Sequence, residues 1–258
     1  MNIHTLHVLP FVLVSTLVAS CFPGNGHKGF ETADFSGWMA ELAEPYSGQI
    51  VTSPVRCGHY AARFEIREGD EGGPFDGYRA ELHELLHYIA PVGSEQWYGS
   101  STFIPEDWPD LDNRTVITQW HATPDAGEVW RSPPLAIRYS GGRITVDCRY
   151  SAEPIQTEND GTIVILYEET EPLEKGIWHD WIFHVRWSYA GDGLVEAWLG
   201  GVQVIDYDGP VGYNDNIGVW FKWGIYRDDH TLTQVLYHDE YRRGTSYEEV
   251  DPSNCDAP

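Results

Sequence analysis

From Phe30 to Tyr247 apolar and polar residues alternate in short runs that break at glycine-bearing turns. Alternation with a period of two sends successive side chains to opposite faces of an extended chain, so these runs predict strands that bury one face. In residues 181–187 the odd positions Trp181, Phe183, Val185 and Trp187 are all apolar; Gly191-Asp192-Gly193 then leads into 194–199, and Gly200-Gly201 into 202–207. The clearest hairpin joins 135–139 to 144–148 through Ser140-Gly141-Gly142, where glycine supplies the positive φ of a tight turn. No internal linker and no fixed-period repeat interrupts this meander, and the acidic stretch 168–171 reads as a solvated loop. The pattern predicts an all-β protein, a two-sheet β-jelly roll in a single domain. An aromatic content of 14% is enough to fill its core.

Three of the predicted strands carry chemistry on their polar faces. In 77–82, Arg79 and Glu81 share one face while Tyr78, Ala80 and Leu82 take the other. In 116–121, Gln119 and His121 are in phase; in 220–226, Lys222, Gly224 and Tyr226 align opposite Phe221, Trp223 and Ile225. If the three strands share a sheet, Arg79, Gln119, His121, Lys222 and Tyr226 converge on one open surface. Any one of them alone reads as an ordinary polar outer position; three in-phase segments make a site the better reading.

These segments resemble a known family. Arg79-Ala80-Glu81-Leu82, Gln119-Trp120-His121 and Lys222-Trp223-Gly224-Ile225-Tyr226 are similar, in order and spacing, to the signature strands of the jelly-roll polysaccharide lyases: alginate lyases, glucuronan lyases and heparin lyase I. The resemblance runs from about Phe30 to Tyr247 and implies a concanavalin-like sandwich that cleaves a uronic-acid polymer by β-elimination. Two departures favour the glucuronan or heparin-lyase side: His83 stands where alginate lyases often have Arg, and Arg227-Asp228 replaces the Gln after the last Tyr.

Such a lyase must remove the weakly acidic C5 proton of a uronate and expel the sugar held at O4, which requires a carboxylate neutraliser, a base and an acid. The resemblance implies catalytic roles for Arg79 and Gln119 on the carboxylate, for His121 as base or second neutraliser, and for Tyr226 as proton donor to O4. Lys222, Glu81, Arg138 and Arg227 are the expected substrate-binding residues, with Glu81 orienting Arg79. In glucuronate or mannuronate the C5 proton and O4 lie on the same side, so Tyr226 could serve as both base and acid. In guluronate or iduronate they are opposed, and His121 would be the base.

A competing motif overlaps the first strand. His83-Glu84-Leu85-Leu86-His87 matches the H-E-x-x-H zinc signature, which on a helix would put both histidines on one face with Glu84 as general base. Pro91 follows closely, the extended zincin continuation is absent, and the overlap with 79–82 favours strand. No E-x-D-x-x-E strand supports a hydrolase with paired carboxylates. A non-catalytic carbohydrate-binding module, stacking sugars on Trp97, Trp108 or Trp130, is the remaining alternative.

The formal net charge of −24 excludes a nucleic-acid binder, which needs a basic face. It also opposes an anionic substrate, unless Arg79, Lys222 and Arg138 or Arg227 form a local basic cleft. Residues 8–18 are apolar and run into Val18-Ala19-Ser20-Cys21, which reads as a lipoprotein signal peptide over 1–20, although no Lys or Arg precedes it. Cys21 would then carry lipid, 21–29 would be a Gly- and Pro-rich tether, and 30–258 the lyase domain of a secreted, envelope-anchored monomer. Cys57, Cys148 and Cys255 would remain, allowing one disulfide at most. No cofactor is required by this chemistry, and the many carboxylates leave room for a structural calcium ion.

Overall fold

The computed structural model describes residues 26–71, 77–85 and 88–255. Within them the alternating runs form strands, which pair into two sheets of eight. One sheet runs in the order β13 (Val202–Asp208), β12 (Leu194–Leu199), β11 (Trp178–Arg186), β6 (Glu95–Phe103), β16 (Gln234–Gly244), β4 (Ala61–Ile66) and β3 (Gly48–Val51), with β1 (Gly26–Lys28) paired on β16. The other runs β10 (Thr162–Glu168), β9 (Arg143–Ser151), β8 (Leu135–Ser140), β7 (Thr115–Ala122), β15 (Val219–Arg227), β5 (Tyr78–Glu84) and β2 (Trp38–Leu42), with β14 (Gly212–Tyr213) parallel to β9. All other pairings are antiparallel, and the result is the expected jelly-roll sandwich in one domain.

The inner faces supply the core by alternation along the strands. Trp181, Phe183 and Val185 of β11 meet Trp120 of β7 and Phe221, Trp223 and Ile225 of β15, all buried. Trp120 packs edge-on against Tyr98, Phe183 and Phe221 at 5.3, 4.8 and 5.4 Å between ring centroids. Full burial of each such ring stabilises by about 1.5–3 kcal/mol, so this layer fixes which faces of β5, β7 and β15 remain for chemistry.

Gly26–Lys28, within the expected tether, pairs with Tyr241, Arg242 and Arg243 of β16. Residues 1–20 and Cys21 lie outside the described residues. The disulfide joins Cys57 to Cys255 at a Cα separation of 5.3 Å, tying the C-terminal segment to the body, while Cys148 is a buried free thiol.

Candidate active site

β15 lies between β7 and β5, and their registers build one continuous outer face. Lys222 stands opposite both Gln119 and His83, Gly224 opposite Glu81, Tyr226 opposite Arg79, and Trp220 opposite His121. The edge strand β2 adds Met39 opposite His83 and Glu41 opposite Glu81. All five residues expected to converge therefore share this face. His121 stands opposite Trp220, six positions along β15 from Tyr226, with a bulge at Gly224 between them.

That bulge explains the glycine of the third motif. Between Trp223 and Tyr226 the register of β15 on β7 shifts, Gly224 has φ +132°, and a Cβ there would come within 2.2 Å of the Ala80 carbonyl oxygen. Only glycine lets β15 and β5 approach this closely while the strand bends.

Beneath the face lies a charge-balanced network centred on Glu41, a residue the sequence did not single out. Glu41 accepts from Lys222 Nζ at 2.6 Å and from Arg79 Nη1 at 2.9 Å. Lys222 Nζ also lies 2.9 Å from Glu81, whose other oxygen accepts from Gln119 Nε2 at 2.6 Å. Burial works to raise the Glu41 carboxyl, but the charge of Lys222 and hydrogen bonds from Lys222 and Arg79 outweigh it and hold the group below the usual carboxylate range. Nothing in Glu41's local sequence betrays this role, since its partners come from β5 and β15.

The expected substrate contacts differ in depth and in pairing. Lys222 and Glu81 face the site with side chains 3% and 1% exposed, and Lys222 is ion-paired with both Glu41 and Glu81, so they support the surface from beneath. Glu81 orients Gln119 and Lys222 more closely than Arg79, from which it stands 3.7 Å away. Arg138 does lie on this face, in register with Val116 opposite Tyr226, but it is tied to Asp147, which Arg149 also approaches at 3.4 Å. Arg227 leaves the face altogether: the residue after Tyr226 points the other way, and its guanidinium donates to the carbonyls of Leu232, His230 and Arg67 and to Gln234. The expected basic cleft is thus largely self-neutralised, with Arg79 and Lys222 set against Glu41 and Glu81.

At one end His121 stacks on Trp220 at 4.9 Å and meets Trp130 at 5.7 Å, while Trp220 stacks on His83 at 5.5 Å. His121 Nδ1 donates to the Ala122 carbonyl at 2.8 Å, which leaves the lone pair on Nε2. Burial and then the nearby charge of Lys222 push the imidazole down to about 4. A neutral ring with Nε2 available can accept a proton or a hydrogen bond.

At the other end the Tyr226 ring lies 4.5 Å from the Arg79 guanidinium and 4.7 Å from that of Arg114. Gly77 supports it; a Cβ there would fall 2.8 Å from the ring. Arg114 was missed because it immediately precedes β7, outside the alternating motif. Its neighbour Asp228 accepts from it at 2.6 and 3.0 Å, which gives a place to one of the residues that depart from the alginate-lyase pattern.

Among the described residues, His83 and Glu84 of the zinc motif lie on strand β5 and point apart. His83 belongs to the outer face, 3.7 Å from Glu41, whereas Glu84 is buried between the sheets, accepting from Tyr241 Oη at 2.6 Å and from the Phe221 amide at 3.1 Å. Strand geometry sends adjacent residues to opposite sides; His87 lies outside the described residues. Of the candidate stacking tryptophans, Trp108 is buried beside Tyr139, Trp97 packs on His184 in the opposite sheet, and Trp130 alone, 68% exposed, borders the site.

A jelly roll carrying a tyrosine, a neutral histidine and arginines on one open sheet face has the parts of a carbohydrate-cleaving eliminase, and comparison with known proteins agrees. A family model described as polysaccharide lyase matches residues 30–242. The chain belongs to the polysaccharide lyase family and is an enzyme that cleaves polysaccharides by lyase action. Among solved structures, endo-β-1,4-glucuronan lyase from the fungus Trichoderma reesei superposes with a TM-score of 0.74 at 20% identity, covering 85% of this chain and 96% of that one. A tyrosine-to-phenylalanine variant of the family 7 alginate lyase A1-II′ with bound product gives 0.55 at 16% identity, covering 83% and 96%. The alginate lyase of Aplysia kurodai gives 0.54 at 11% identity, covering 78% and 87%. No curated protein sequence matches.

Proposed function

We propose that the enzyme cleaves a uronic-acid polymer of the glucuronan type by syn β-elimination, with Tyr226 as both base and acid. The observation that carries this reading is the setting of Tyr226, whose ring is flanked by the guanidinium groups of Arg79 and Arg114 on the open face. In glucuronate the C5 proton and O4 lie on one side, so a single phenol can serve both. The Tyr226 oxygen takes the C5 proton, the C5–H electrons form the C4–C5 double bond, the C4–O4 bond breaks, and the same hydroxyl returns a proton to O4. Arg79 neutralises the carboxylate and stabilises the enediolate-like charge; Gln119 and His121 hold the uronate in register. The likeness to the Trichoderma glucuronan lyase supports this choice of polymer.

The chemistry uses the chain's own side chains. A structural calcium, which the acidic composition left open, would sit apart from it at Asp125, Glu128 and Asp215, whose carboxylate oxygens lie within 4.8 Å of one another. Arg131 already bridges two of these, at 2.7 Å to Asp215 and 3.1 Å to Glu128. In this reading the enzyme is a monomer exported by its apolar leader and anchored through lipid on Cys21.

Mutating the two carriers tests the mechanism. Tyr226→Phe should lower turnover on glucuronan by about 10²–10⁴-fold, the range expected for loss of an acid–base catalyst, with an unchanged melting temperature. His121→Ala should be the milder defect, felt mainly in KM. Equal and severe loss in both, read as ultraviolet absorbance of the unsaturated product, would instead favour an opposed geometry with His121 as base. A folded, fully active Tyr226→Phe enzyme would exclude Tyr226 from the reaction.

A further inference from the structure

We infer that Arg114 is the residue that binds the carboxylate of the leaving sugar, and that it does so by exchanging Asp228 for the substrate. The enzyme would thereby select polymers in which uronates are consecutive. This rests on the elimination reading above and narrows its substrate class.

The argument begins with which cations can still meet a ligand. On the outer face Lys222 is sealed beneath Glu41 and Glu81, and Arg79 is held by Glu41 at 2.9 Å. Arg138 and Arg149 share Asp147, with side chains 16% and 18% exposed. Arg114 differs: its side chain is 42% exposed and its partner Asp228 is 52% exposed. Exchanging a partner inside the buried network would leave an unpaired charge out of water, whereas an exposed pair contributes little and can be exchanged at small cost. The pairing also suits exchange, since Nε and Nη2 of Arg114 both address one oxygen, Oδ1 of Asp228, rather than forming a two-oxygen fork. A uronate carboxylate can offer that fork.

Position decides which sugar is bound. Along β15 the order on the face is Trp220 beside His121, Lys222 beside Gln119, then Tyr226, and beyond it Asp228, whose amide donates to the Arg114 carbonyl at 3.0 Å. Elimination breaks the C4–O4 bond at Tyr226. The uronate that loses its C5 proton lies on the Gln119 side, and the sugar departing with O4 lies on the Arg114 side. A guanidinium 4.7 Å from the proton donor's ring is therefore set to meet a carboxylate on the departing residue. A homopolymer of uronates has one there; a polymer alternating uronate with a neutral sugar does not.

The test measures binding in the Tyr226→Phe background, so that turnover does not intervene. Two probes of equal length are titrated by calorimetry: a β-1,4-linked glucuronate oligosaccharide, and one in which glucuronate alternates with a neutral hexose. The starting protein should prefer the first. Adding Arg114→Gln should weaken the first by about tenfold or more, the size of a lost hydrogen bond to a charged group, and leave the second unchanged, erasing the preference; Arg114→Lys should restore part of it. Adding Asp228→Asn should tighten the first, because the competing carboxylate is gone. If Arg114→Gln weakens both probes equally, or Asp228→Asn weakens the first as Arg114→Gln does, the pair is structural and the inference fails. If no protein in the series binds either probe, the polyuronate reading itself falls and takes the inference with it.

Discussion

His121 shows how a single side chain is set by what surrounds it. Its ring is pressed against Trp220, its Nδ1 is fixed by the Ala122 carbonyl, and the neighbouring Lys222 disfavours a second positive charge. With a folded value of about 4 against an ordinary 6.5, the unfolded chain takes up the proton first as the pH falls. The stability contributed by a neutral His121 is thus present in full above about 6.5 and is lost as the pH falls towards about 4, so folding and imidazole protonation oppose each other in that window. Following the ring resonances of His121 by NMR should give a midpoint near 4 and the Nδ1–H tautomer at neutral pH. A midpoint near 6.5 would mean that the ring is fully solvated and is not held for a role as acceptor.

At the scale of elements, the face depends on β15 being clasped on both sides. Its register on β5 is unbroken from Lys222 to Arg227, while on β7 it shifts between Trp223 and Tyr226. The bulge lets Tyr226 meet Arg79 on one side although the ladder to β7 has slipped on the other. Gly224 is the residue on which this turns. Gly224→Ala should destabilise the fold by about 1–3 kcal/mol from the φ alone, more with the clash against the Ala80 carbonyl, and should lower turnover by displacing Tyr226. Urea unfolding reads the first effect, and a loss below about 0.5 kcal/mol, the range of an ordinary surface change, would show that β15 and β5 can part without cost.

The molecule as a whole carries a charge of −24, yet its open face is close to neutral, because most of its cations are matched by buried or partly buried carboxylates. A polyanion is therefore not drawn in by a basic groove; it meets long-range repulsion and short-range recognition. Salt screens the repulsion over roughly 10 Å at 0.1 M and reaches the buried contacts much less. Activity on a polyuronate should rise from the lowest ionic strength to about 0.1 M, mainly through a falling KM. A steady decline from the lowest salt upward would mean that attraction, not repulsion, governs the approach.

Much of this was legible in the chain itself. Alternation assigned the faces of 79–82, 119–121 and 222–226 correctly, because the pleat is a local property that needs no partner. The same rule separates His83 from Glu84 and turns Arg227 away from Tyr226, although Arg227's charge made it look like a ligand of the site. What the chain could not reveal was depth and pairing. Glu41 reaches Arg79 across 38 residues and Lys222 across 181, and only the adjacency of β2, β5 and β15 makes it the anchor of both. Arg114 and Asp228 meet across 114 residues at the rim, where no periodicity marks them. A two-residue period says which way a side chain points, but whether it ends in water or against an opposite charge depends on which strands the sheet places beside it.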